Sequence, residues 1–100
     1  MPKLYELAHC RAGDKGDTSI LSVIAYRDVD YPLLEARLTA DAVARHLAGI
    51  VRGAVTRQAL PQFSALQFVC EHALGGGVTT SLGLDAHGKS LSSALLEIEV

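Results

Sequence analysis

The chain has 100 residues, 49% of them hydrophobic and 20% charged, with a formal net charge of −2. That is room for one domain with a real core and not for two, and the mixture excludes intrinsic disorder. Near-neutral charge without a Lys/Arg run excludes the electrostatic footprint of a nucleic-acid binder, and no apolar run approaches the ~20 residues of a membrane-spanning helix. The segment MPKLYELAHC has no signal-peptide pattern, so a cytoplasmic location is expected, with Cys10 and Cys70 as buried thiols rather than a required bridge.

In chain order, Lys3 to Cys10 alternates and predicts a strand with Leu4, Glu6, Ala8 and Cys10 on one side. RAGDKGDTS then concentrates glycine and aspartate and predicts a tight loop. ILSVIAY reads as a second strand, ended by RDVDYP because Pro32 cannot donate to a ladder. LTADAVARHLAGIVRG predicts a helix with Thr39 as N-cap, a stripe of Val43, Leu47 and Ile50, and Gly53 as its stop. AVTRQAL, ended by Pro61, and ALQFVCEHAL, ended by three glycines, read as two further strands, the second apolar enough to be central. TTSLGLD is strand-like and AHGK a turn. In SLSSALLEIEV, Leu91, Leu95 and Ile98 fit a helical stripe, while the last four residues equally fit an edge strand. The class is α+β: one domain over residues 1–100, with an antiparallel or mixed sheet of about four to five strands covered by one or two helices.

Four stretches invite a chemical reading. GLDAHGKS, Gly83 to Ser90, satisfies G-x-x-x-x-G-K-[ST], but a phosphate loop needs a parallel strand before it, a full helix after it and an acidic residue for magnesium. The antiparallel-looking upstream chain leaves no room for these, so nucleotide hydrolysis is not expected. Within Gly13, Asp14, Lys15, Gly16 and Asp17, the two carboxylates and the ammonium can bind a cation, hold a carboxylate or phosphate, or move a proton; ordinary turn stabilisation uses the same residues. The glycines Gly75, Gly76 and Gly77, followed by Thr79, Thr80 and Ser81, can form an anion nest or simply a flexible turn. His9, just before the Gly-Asp-Lys-Gly-Asp loop, is a candidate titrating group. A zinc site would need His9, Cys70 and His72 to converge without any C-x-x-C spacing, so no metal is expected. The serines include no G-x-S-x-G elbow.

Read together, LAHCRAGDKGDTSILSVIAY, ALQFVCEHALGGGVTTSLGLD and DAHGKSLSSALLEIE resemble the C-terminal domain of the acyclic terpene utilization (AtuA) family, over roughly Leu4 to Ile98. The resemblance implies a ferredoxin-like fold, and a domain found either fused behind a large N-terminal domain or as a separate short protein. It carries over His9, Arg11, Gly13, Asp14, Lys15, Gly16, Asp17, Leu74, Gly75, Gly76, Gly77, Ser81, Asp85, Gly88 and Lys89. Departures stand at Ile20 and Ser22, where the pattern usually has Asn and Gly, at Ala12, where a serine is common, and at Tyr26, where an arginine is frequent. The implied function is association with breakdown of branched terpenoid acids as CoA thioesters, beside a larger AtuA-like protein. An acyl-CoA or carboxylate ligand would suit Arg11, Lys15, Lys89 and the glycine turns. No cofactor is implied. The residues leave open a self-sufficient lyase, hydratase or isomerase acting on acyl-CoA or another small acid, using His9 or Asp17 as base with Lys15 or Lys89 on the anion, and a structural homo-oligomer.

Overall fold

The computed structural model describes residues 2–73 and 89–100, with the side chains of Lys89 and Ser90 left out. Four strands form one antiparallel sheet in the order β1-β2-β4-β3: β1 is Ala8–Lys15, β2 Thr18–Ala25, β3 Val55–Leu60 and β4 Ala65–Cys70. The helices are α1 (Leu4–Leu7), α2 (Tyr31–Arg37), α3 (Ala40–His46) and α4 (Lys89–Leu96). β4 pairs antiparallel with both β2 and β3, so β2 and β3 run parallel with β4 between them, joined by α2 and α3. The two chain ends meet. The Val100 N–H donates to the Pro2 carbonyl at 3.0 Å, the Leu4 N–H donates to the Ile98 carbonyl at 2.8 Å, and Glu99 bridges Lys3. Followed in space from β2, the elements run β-α-β-β-α-β, with β1 as the closing strand. The fold is therefore α+β and ferredoxin-like, with its closing strand placed first in the sequence.

Strand alternation builds the core. Ala8, Cys10 and Ala12 of β1 lie opposite Ala25, Val23 and Leu21 of β2; Leu66 and Phe68 of β4 continue the Val23 and Leu21 rows, and Cys70 lies opposite Ser19. Phe68, Leu21 and Leu66 are almost fully buried against Leu34, Leu38, Val43, Leu47, Leu91 and Leu95 from the helices. α4 packs over β1 and α3 over β3. On the opposite face the register lines up a polar row, Arg11, Ser22, Gln67 and Gln58, between half-buried Ile20 and Val69 on one side and Ile24 on the other.

Both later strands fall where the sequence predicts them, β4 centrally. Four expectations change. Lys3 to Leu7 is not strand. Leu4 and Leu7, three apart, both turn toward the core in a single helical turn, and the Glu6 carboxylate accepts the Lys3 N–H at 3.0 Å. The predicted loop RAGDKGDTS is mostly strand, because β1 continues to Lys15 and only Gly16 and Asp17 form the turn. Gly16 holds φ +64, a conformation costing about 1–2 kcal/mol for a residue with a Cβ. α2 was not expected. Pro32, read as a strand stop, also suits the first turn of a helix, where its missing N–H is no loss.

The predicted long helix ends early, at His46. Thr39 is its N-cap, its hydroxyl accepting the Ala42 N–H at 3.1 Å, but beyond His46 the chain tightens into turns around Gly49, with the Ile50 and Val51 N–H groups both donating to Leu47. Gly53 instead serves a close approach: a Cβ there would lie 2.7 Å from the Glu71 carbonyl oxygen and 2.7 Å from the His72 ring. The tail combines its two readings, α4 to Leu96 followed by the Glu99 bridge. TTSLGLD and the AHG of the predicted turn lie outside the described residues.

Candidate functional site

The β1–β2 hairpin orders the sequence-predicted residues along one edge strand. His9, Arg11, Gly13 and Lys15 alternate onto the face carrying the polar row, and Asp14 lies opposite Ser19. Asp14, Lys15, Gly16 and Asp17 gather at the tip, all but Asp17 exposed. His9 does not join them. It stands six positions before Lys15, about 20 Å away at ~3.4 Å per strand residue, with its ring stacked on Tyr26 at a centroid distance of 5.6 Å. Arg11, exposed opposite Ser22, lies between. Gly75, Gly76, Gly77, Ser81, Asp85 and Gly88, with Leu74, lie outside the described residues; Lys89 opens α4, its side chain outside them as well.

The sequence reading passed over the partner that the tip acquires. His72 follows the end of β4, and its Nδ1 lies 3.0 Å from the Asp17 carboxylate, a contact spanning 55 residues. The Ala73 N–H donates to the Asp17 carbonyl at 2.9 Å, so the exit of β4 is fastened to the turn twice. His72 takes a left-handed conformation at φ +53 and its side chain is 68% exposed. The Arg52 N–H donates to the His72 carbonyl at 3.1 Å, and the Gly53 N–H to the Glu71 carbonyl at 2.9 Å, which brackets the residue from the 52–54 segment. Two apart in sequence, Cys70 and His72 would share one face of a continued strand. The left-handed turn breaks that parity: Cys70 is fully buried in the core while His72 faces outward. His9, Cys70 and His72 do not converge, and among the described residues no group of three or more His, Cys, Asp or Glu is placed to hold a metal ion.

Both thiols are free. Burial pushes Cys10 from 9.0 up to about 12, with the neighbouring Cys70 adding to the rise, and burial pushes Cys70 up to about 11. Neither is a nucleophile near neutral pH. Burial, and secondarily the nearby Glu35 carboxylate, raises Tyr31 as well. None of the described helices is long and apolar enough to cross a membrane.

The other end of the sheet has a different character. The Tyr26 N–H donates to the Leu7 carbonyl at 2.9 Å, the Ala25 N–H to the Ser64 carbonyl at 2.9 Å, and the Ser64 hydroxyl to Asp28 at 2.7 Å. These bonds bring α1, the end of β2 and the start of β4 together. Tyr5, Tyr26, Val29 and Phe63 stand at this end, 49%, 61%, 74% and 67% exposed, and they are the exposed large hydrophobic residues of the described chain.

A family model for the AtuA ferredoxin-like domain matches residues 2–100. The chain belongs to this family. The match covers every strand of the sheet and both ends just described, so the fold inferred from topology and the family agree. Searches of curated proteins and of solved structures each returned no match. Family membership as an AtuA ferredoxin-like domain assigns no substrate or catalytic residue to the hairpin tip, whose chemistry rests on its own side chains.

Proposed function

We propose that this chain is a small subunit or accessory domain that works with a larger AtuA-like protein in the catabolism of branched or terpenoid acids carried as acyl-CoA, and that its hairpin tip contributes to an anion-binding site. The observation that carries the reading is the separation of the two ends. Tyr5, Tyr26, Val29 and Phe63 expose large apolar side chains at one end, of the kind that marks a protein contact, while Lys15, Gly16, Asp17 and His72 form a polar tip at the other. Lys15 is exposed beside the Gly16 turn, and its ammonium suits a phosphate or carboxylate as a point charge. The sequence places Gly75, Gly76 and Gly77 shortly after Ala73, which is bonded to Asp17, in keeping with the glycine-rich turn, Ser81, Asp85 and Lys89 serving the same anion. Arg11, Gly13 and Asp14 extend the candidate site along β1.

The test is co-purification with a larger AtuA-like protein. A complex that forms at micromolar concentration and weakens on Phe63→Ser supports the subunit reading. Absence of complex, with dimers or larger assemblies of this chain alone in light scattering, would favour the structural homo-oligomer.

A further inference from the structure

The Asp17–His72 pair has the construction of an oriented imidazole. An ionised carboxylate only accepts, so at 3.0 Å from Asp17 the Nδ1 of a neutral His72 carries the proton and donates it, which leaves the Nε2 lone pair on the other side of the ring. The ring Cδ2 lies where a side chain at position 53 would begin, and glycine there leaves the ring its place. The backbone on both sides of His72 is tied, through Arg52 and Gly53 to the β3 entry and through Ala73 to the hairpin turn. A histidine bonded through Nδ1, with its backbone tied on both sides, at a left-handed φ and still largely exposed, is a poor device for stability alone and a suitable one for proton transfer.

We propose that His72 is a general base, oriented by Asp17 as a positioning residue, for removing the proton α to the carbonyl of an acyl thioester whose anionic part Lys15 holds. The proposal rests on the reading of the tip as an anion site. In the step, the Nε2 lone pair takes the Cα proton and the C–H electron pair moves into the Cα–C bond as the carbonyl becomes an enolate oxygen. The imidazolium that forms is stabilised by the Asp17 carboxylate, and its return of a proton to Cα restores the thioester. No other reactant is consumed, and in deuterated water the carbon returns deuterated.

The experiment uses the full chain and butyryl-CoA in deuterated water, following loss of the α-proton NMR signal against free imidazole at equal concentration. The expected result is exchange well above the imidazole control, falling ~100-fold in His72→Asn, the scale of a lost general base, while Asn keeps the left-handed backbone accessible. In Asp17→Asn the exchange also falls, and the 15N shifts of the His72 ring lose the signature of a protonated Nδ1 and bare Nε2, which a purely structural contact would not couple to rate. Exchange no faster than imidazole, exchange unchanged in His72→Asn, or a wild-type ring with its proton on Nε2 would each overturn the proposal. Calorimetric titration of butyryl-CoA separates the two readings. Binding that weakens in Lys15→Ala but is unchanged in His72→Asn supports the anion site whatever the exchange shows, and equal affinity in Lys15→Ala removes that site whatever the base does.

Discussion

The two ends of the sheet are built from different chemistry and by different means. At the hairpin end, a turn that needs glycine at Gly16 brings Lys15 and Asp17 together, and a contact across 55 residues adds His72. At the other end, local structure dominates: α1, the Asp28–Asp30 turn and the Pro61–Phe63 turn each contribute a large apolar side chain to solvent. The core between them is common to both, with the buried Ser19 hydroxyl near the Gly13 carbonyl. A polar tip beside exposed apolar side chains at the opposite end is the division of surface on which the proposed subunit role rests.

The largest effect belongs to neither end. Phe68, fully buried between Leu21 and Arg57 in the register, links the layers, and Phe68→Ala is expected to cost about 3–5 kcal/mol in denaturant unfolding, loosening both ends together. The same core titrates. Cys10 and Cys70 are neutral in the folded chain to about 12 and about 11 but ionise near 9.0 when unfolded, so the unfolded state loses its protons first as pH rises. Stability from this source is complete below pH 9.0 and declines from there toward about 12, measured as a falling denaturation midpoint, with the decline reduced in a Cys10→Ala, Cys70→Ala double variant.

The next effect isolates the apolar end. Phe63→Ser removes an exposed ring, leaves the monomer's melting unchanged, and is expected to weaken the complex with the large protein by about 30-fold, the size of an interface hot spot. The hairpin end answers differently. Gly16→Ala forces a Cβ into φ +64 and should cost about 1–2 kcal/mol in thermal unfolding, with loss of the Asp17–His72 contact in NMR and no change in complex formation. The smallest effect is a control. Thr39→Ala removes the α3 cap for about 1 kcal/mol and leaves both ends functional.

How much of this was legible in the sequence follows from the range of each signal. β2, β4 and the Thr39 cap are local and strong, and they appear where the residues predict them. The Leu4–Leu7 turn reads as strand because Leu4, Ala8 and Cys10 keep a period of two, while Leu4, Leu7 and Ala8 equally fit helical spacing over so short a stretch, and only the pairing of the chain ends, through Leu4 and Ile98, decides between them. Gly13 and Asp14 have loop chemistry yet lie in a strand at the edge of the sheet formed by the described residues, where nothing crowds the glycine. Asp17 was a candidate from its spacing, and Lys15 beside it. His72 was visible only as a neighbour of Cys70, because its role depends on a left-handed φ and on a carboxylate 55 residues away, and neither is written in a window of sequence. Gly53 was read as a helix stop for the same reason: the close approach of Glu71 and His72 that requires it is tertiary.

The central claim, that one end docks while the other carries the site, is tested most directly by the affinity of the large AtuA-like protein for two variants of this chain, Phe63→Ser and Lys15→Ala, in one titration. The account predicts that Phe63→Ser weakens the complex by about 30-fold while Lys15→Ala binds like the parent chain. A complex broken by Lys15→Ala and untouched by Phe63→Ser would contradict it, placing the contact at the hairpin tip instead.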